Sequence, residues 1–321
     1  MKIYSKDEFS YVVSSITGFT DQSSQEIIAK ALIGATTPAN TTIKLGVRGT
    51  QQIQLLNSAP SFQTGACGWN ASGTTTFTQV SLASQHEKVQ EELCFQQLWD
   101  TYQSLLLPAG QSPETVPFLQ SIIDLKVKQI QQRIETKLWG ATTAGGDAFN
   151  GFNTLIATGQ TSVANSTGTT FNSSSAYGTT GNPITEVDKL ISVLSDDALV
   201  FDDLVVFMSY SNFRLYNQAL VKANFFQNYI GTTNVTNNMS AVHPSTNVKV
   251  LPTIGLAGSG KVVIGPASYM FCGFDLMSDH EKMDAFWSRD FDVLKIKANY
   301  SYAAQIASFS GINYFATNNI A

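Results

Sequence analysis

The sequence predicts an α+β fold, and three stretches carry the prediction. Residues 42–47 alternate Ile43, Leu45 and Val47 against Thr42 and Lys44, which is strand periodicity. Between Pro113 or Pro117 and Leu138, apolar residues recur at three and four positions, the spacing of one helical stripe. Leu204–Met208 is a compact apolar strand followed directly by a helical pattern, and β texture returns after Lys261.

Taken in chain order, residues 1–40 read as an N-terminal arm. Ser23 or Ser24 can cap a short helix through Ile27, Ile28, Leu32 and Ile33, ended by Gly34 and Pro38. The strand of residues 42–47 finds a returning limb in Phe77, Val80 and Leu82, extending as far as Leu93, with a turn-rich segment between that holds Pro60, Gly65, Gly68 and Trp69. From Thr50 to Gln85 there is no Asp, Glu, Lys or Arg. A two-stranded ribbon is marginal alone in water, and long uncharged edges invite pairing with another chain. The ribbon therefore packs either on its own domain or on a second molecule.

Cys94–Leu106 can place Leu98, Trp99, Tyr102 and Leu105 on one side of a helix. The clearest helix follows: Leu119, Ile122, Ile123, Val127, Ile130, Ile134 and Leu138 against Gln120, Asp124, Lys128, Gln131 and Glu135, closed by Gly140. At roughly 1.5 Å per residue it spans roughly 33–39 Å. Residues 151–183 are low in complexity and predict long loops or short strands. A helix at Ile184–Leu194, the strand Leu204–Met208 and a helix carrying Phe213, Leu215, Tyr216 and Leu220 predict an α/β unit. Val262–Ile264, Tyr269–Phe274, Phe291–Ile296 and Ala303–Ala307 predict closing strands.

Composition narrows the function. The 321 residues suffice for about two folding units at roughly 150 residues each. Hydrophobic residues make up 43%, and 20 Phe, 11 Tyr and 4 Trp rule out a disordered chain. Charged residues make up only 13%, about half the usual share, so the surface is polar but weakly ionic. The net charge of −5 argues against a nucleic-acid reader, which needs cations to neutralise phosphate. No run approaches the roughly 18 apolar residues of a membrane helix, and Met1–Tyr11 has no apolar stretch of a secretory signal. Cys67, Cys94 and Cys272 are too scattered for a disulfide framework or a zinc site and read as small buried hydrophobes.

One motif fits a reactive spacing. Gly255-Leu-Ala-Gly-Ser-Gly-Lys261 matches G-x-x-x-x-G-K, but Val262 stands where a phosphate loop needs Ser or Thr, and a strand pattern follows where it needs a helix. A turn between two strands accounts for it better. His86, His243 and His280 form no metal-ligand spacing, and no G-x-S-x-G is present. Asp196-Asp197 and Asp202-Asp203 read as helix caps or solvated turns. The sequence offers no enzyme, no cofactor and no metal site.

The succession of these pieces resembles the major capsid proteins of tailed bacteriophages, with the Hong Kong 97-type fold. Three stretches carry the resemblance: Val116–Phe152, with Trp139-Gly140, Gly145-Gly146-Asp147 and Phe149-Asn150-Gly151-Phe152; Ile184–Leu220, with Val205–Ser209 and Phe213–Tyr216; and Lys261–Ala307, with Asp275, Asp290-Phe291 and Ser301–Ile306. It implies an arm over 1–40, an extended β-hairpin loop over 41–85, a peripheral domain over 86–152 and 276–321 with its spine helix at about 117–138, and an axial α/β domain over 153–275. It implies self-assembly through hexamers and pentamers into an icosahedral virion shell in the host bacterial cytoplasm. That shell would enclose double-stranded DNA without sequence-specific binding and without a membrane. Because Met1 is followed almost at once by the arm, the resemblance implies either a separate scaffolding protein or a shell that needs none, beside a portal and decoration proteins. Lys44, Arg48, Phe62 and Trp69 are the expected inter-subunit contacts, against the alternative that they pack within the chain. The rival functions are an encapsulin-type compartment of the same fold and, further off, a surface-layer or tail-associated protein.

Overall fold

A computed structural model describes residues 35–59, 61–65, 67–68, 73–94, 116–157, 163–166, 170–201, 203–224, 240–244, 246, 248–275, 283–288, 291, 293–309 and 312–318. The helices expected near 23–33 and 94–106, along with Trp69, Asp202 and His280, lie outside the described residues. In chain order the elements are α1 (Thr36–Ala39), β1 (Thr42–Leu45), β2 (Thr50–Ala59), β3 (Thr74–Ala83), β4 (Gln85–Leu93), α2 (Val116–Gly140), α3 (Phe152–Ala157), β5 (Val163–Ser166), α4 (Pro183–Val193), α5 (Asp196–Leu199), β6 (Leu204–Ser209), α6 (Tyr210–Lys222), β7 (Ala241–Val242), β8 (Lys249–Thr253), β9 (Val262–Pro266), β10 (Met270–Phe274), β11 (Met283–Ser288), β12 (Val293–Ile306) and β13 (Phe315–Asn318).

These strands form three sheets. The first runs β1-β10-β12-β11, with β4 also pairing β12; the second runs β5-β13-β9-β6-β8-β7; the third is the ribbon β2-β3. The fold class is the α+β class expected, but the strands are dealt differently. β10, expected with the segment 153–275, pairs β12 in the first sheet, while β13, from the C-terminal segment, pairs β9 and β5 in the second. The two late strands expected at 291–296 and 303–307 are one strand, β12. Its first half pairs β11 and β4 and its last residues pair β10.

The long helix α2 is the spine of the molecule. Its 25 residues correspond to about 37 Å at 1.5 Å per residue. Ile123, Ile130, Ile134 and Leu138 are buried along one stripe, while Asp124, Lys128, Gln132, Arg133 and Thr136 face outward. Glu135 departs from the expected polar stripe: it is 2% exposed. At the helix end Trp139 meets Phe152 of α3 and Phe207 of β6 edge to face, with centroids 5.4 and 5.3 Å apart, which joins the spine to the second sheet.

The second sheet is built around β6, buried along its whole length as its continuous apolar run requires. Asn182 caps α4, its side chain accepting from the amides of Ile184 and Thr185, with Pro183 at the first helical position. Ser209 caps α6 through the amide of Asn212. Glu87 of β4 ties the first sheet to the spine: Arg133 donates to both its oxygens, at 3.0 and 3.4 Å, and Tyr300 of β12 donates at 3.0 Å. About two turns earlier on α2 Lys126 pairs with Glu91 of β4, and Lys137 pairs with Asp147 at 2.7 Å.

Candidate assembly surface

The ribbon has two faces because side chains alternate along each strand. Ile53, Leu55, Val80 and Leu82 lie on one face, and Gln52, Gln54, Leu56 and Phe77 on the other. At the root, Leu82, Ile53 and Leu55 pack with Val47, Ala303 and Ala307 over the end of β12. Gly273 of β10 lets the root approach: a Cβ there would stand 2.9 Å from Leu82 and 3.0 Å from Val47. Gln305 donates to the Ser81 carbonyl at 2.8 Å, and the Ser84 amide to the Gly49 carbonyl at 2.8 Å.

The hairpin expected between 42–47 and 77–82 is corrected here. β1 does not belong to the ribbon; it runs parallel to β10 in the first sheet. Gly46 and Gly49, with φ of 73° and 66°, turn the chain between β1 and the true outgoing limb β2. The register then sets Leu56 directly opposite Phe77.

Beyond Leu55 the ribbon leaves its own domain. Thr74 through Gln79 are all exposed, Leu56 is 56% and Phe77 77% exposed, and Phe62 past the end of β2 is 94% exposed. Large apolar side chains left exposed on an uncharged ribbon are the kind of surface from which interface centres are built. Leu56 and Phe77 are not among the expected contacts; that they share one exposed face shows only when the two alternations are paired in register.

Of the four expected contact residues, the structure places three and does not bring them together. Phe62 stands clear near the ribbon's far end. Lys44 donates through Nζ to the Gln52 carbonyl at 3.4 Å, and Arg48 Nε sits 3.2 Å from the Asp275 carboxylate, so both are engaged at the root within the chain. Asp275 has a side chain 4% exposed while that of Arg48 is 63% exposed, so the pair anchors the root at the surface.

The remaining motifs resolve into structure. The turn of residues 254–261 joins β8 to β9 across β6, strand to strand as expected. Several of its amides are already engaged: Gly255 donates to Thr253 Oγ1, Ala257 to the Ile254 carbonyl, Ser259 to the Leu256 carbonyl, and Lys261 to Ser259 Oγ, while Val262 at the start of β9 donates to Asn318 Oδ1. Each glycine has a local reason. Gly258 and Gly260 have φ of 75° and 65°, and a Cβ on Gly255 would fall 2.2 Å from the Trp139 ring. His243 is a buried strut between Tyr216 Oη and Asp188 Oδ1, each at 2.8 Å, tying the β7 turn to α4 and α6. Asp196 and Asp197 lie in the first turn of α5, and Asp203 accepts from the Ser268 amide at 2.7 Å. Cys272 is buried as expected, whereas Cys67, past the ribbon's end, is exposed. Among the described residues no group of three His, Cys, Asp or Glu could hold a metal ion, and no helix is long and apolar enough to cross a membrane.

Solved structures of phage particles share this architecture. The chain matches a structure of Microbacterium phage Oxtober96 with a TM-score of 0.56 and 11% identity, over 88% of this chain and 90% of that one. It matches the capsid of an empty GTA particle with a TM-score of 0.57 and 10% identity, over 89% and 90%. It also matches the satellite phage P4 procapsid that includes the size determination (Sid) protein, with a TM-score of 0.56 and 10% identity, over 92% and 89%. No family model matches the chain, and neither does any curated protein sequence. The fold is that of tailed-phage capsid proteins, the Hong Kong 97-type fold, over nearly the whole chain.

Proposed function

We propose that this chain is a major capsid protein that assembles with copies of itself into an icosahedral phage shell around double-stranded DNA. The observation that carries the reading is the full-length capsid fold together with a protruding, charge-free ribbon that shows Leu56, Phe77 and Phe62 to solvent. In this reading residues 1–40 form an arm and the extended loop, expected over 41–85, is the ribbon of β2 and β3 with the turn between them, β1 staying in the first sheet, with Phe62 and Trp69 reaching a neighbouring copy. Lys44 and Arg48 hold the loop's root at the angle that aims it. The first sheet and spine form the peripheral domain, mainly 86–152 and 276–321, and the second sheet the axial domain, mainly 153–275, with β10 and β13 exchanged between them. The role is structural, not catalytic. A scaffolding protein, a portal and decoration proteins complete the particle, which is built in the host cytoplasm; the P4 procapsid neighbour includes a size determination protein in its own assembly.

The test is to replace Leu56 and Phe77 together by Ser. Burying a large apolar side chain contributes about 1.5–3 kcal/mol, so each loss weakens a repeated contact by roughly ten- to a hundredfold. Sedimentation should show wild-type chain in large assemblies and the double variant as monomers or small oligomers with an unchanged melting temperature. Equal assembly of the two proteins would overturn this role for the ribbon.

A further inference from the structure

Glu135 is the one long acidic side chain turned from the polar stripe of α2 into the interior, and three separate parts of the chain meet on it. The Thr37 amide donates to Oε1 and Oε2 at 3.1 and 3.2 Å, and the hydroxyls of Thr37 and Thr253 both contact Oε1. Both hydroxyls are themselves oriented from behind, Thr37 Oγ1 accepting from Trp139 Nε1 at 2.7 Å and Thr253 Oγ1 from the Gly255 amide at 3.1 Å. The carboxyl group thus straps α1 and the end of β8 onto the spine, across 98 and 118 residues of sequence.

Among the described residues the cage supplies donors but no cation. α1 and the turn to Thr41 contribute no titratable side chain, and neither does α3. β8 contributes Lys249, exposed at its far end, and β10 contributes Cys272. Burial pushes the Cys272 thiol up to about 12, so it stays neutral. On α2 itself Arg133 pairs with Glu87 and Lys137 with Asp147. Ionising Glu135 therefore places a charge in the interior that, among the described residues, only neutral groups meet.

We infer that Glu135 is a proton-dependent strap that holds the segment 35–41 and the 253–255 turn on the spine helix, tighter as the pH falls and looser as it rises. The sign follows from linkage. Burial raises the Glu135 carboxyl above its ordinary 4.5, while the hydroxyls of Thr253 and Thr37 and the Thr37 amide oppose the rise. The closed state therefore binds the proton more tightly than an opened state in which Glu135 meets water. Closure is favoured below 4.5 and weakened as pH climbs through the raised value. This holds for the single chain and does not depend on assembly.

Hydrogen exchange of the full chain, corrected for intrinsic rates, tests it through the amides of Thr37, Ala39, Asn40 and Thr41. Their protection should fall by up to about tenfold per pH unit across the window above 4.5, while amides of β6 hold theirs. Glu135→Gln, uncharged throughout, should abolish the slope. Thr253→Val, which removes one donor to the carboxylate, should move the upper end of the window up by about 1 pH unit, and it serves also if Glu135→Gln does not fold. A flat wild-type profile, an equal slope in Glu135→Gln, a window unmoved by Thr253→Val, or loss of protection in β6 in parallel would each overturn the strap.

Discussion

Gly255 and Glu87 show how much single residues decide around the spine helix. A methyl group on Gly255 would sit 2.2 Å from the Trp139 ring and 2.5 Å from the Glu135 carbonyl, the second a backbone atom that cannot swing aside. Gly255→Ala should therefore lower stability by about 2 kcal/mol or more, read as a lower urea midpoint at unchanged m. Lys261→Ala, in the same glycine-rich motif, touches no such contact and should stay within about 0.5 kcal/mol of wild type. Glu87 gives a pH dependence opposite to that of Glu135. Burial alone would raise its carboxyl, but the Arg133 guanidinium and the Tyr302 and Tyr300 hydroxyls outweigh it and hold it below the ordinary 4.5. The stability it contributes is present above 4.5 and lost as the pH falls through the lowered value. Thermal melts in mild acid should show the tie between β4 and the spine weakening, and Glu87→Gln should flatten that part of the profile. By its spacing Glu135 belongs to the polar stripe, yet it is 2% exposed. Periodicity sees only neighbours along one helix, and the donors that make its burial tolerable come from Thr37 and Thr253, on other elements.

At the scale of elements, the ribbon's unusual chemistry was legible and its construction was not. The absence of charge from Thr50 to Gln85 marked the segment as one that packs on something. The alternation in residues 42–47 marks a true strand over Thr42–Leu45, yet it belongs to the first sheet, because Gly46 and Gly49 turn the chain before β2 begins. A one-residue change of register would have put Leu56 and Phe77 on the root-packed face, and register is fixed by packing on β10 and β12 rather than by local pattern. The root has its own prediction. Arg48→Ala leaves the nearly buried Asp275 carboxylate without that partner, and since the arginine is itself largely exposed, the loss should be about 1 kcal/mol. Protease sensitivity of the ribbon should rise more than global stability falls; an unchanged cleavage rate would show that the pair does not set the root.

For the whole molecule, the order of elements carried the fold. An extended ribbon, one long amphipathic helix, an α/β unit and late strands were each readable from period and composition, and their succession resembles the capsid architecture that solved phage structures share. What order could not supply was the exchange of β10 and β13. Each of these short apolar strands fits either sheet by pattern, and only contact with β12 or β9 decides between them. That exchange laces the two sheets through one continuous core, so the body should unfold in a single transition while the ribbon and strap open below it. The central claim, that this body is a shell subunit, is tested most directly by electron microscopy of the protein expressed alone and then with its neighbouring genes, beside its mass in solution. The account predicts closed shells, or rings of five and six subunits. Monomers at every concentration in both preparations would contradict it.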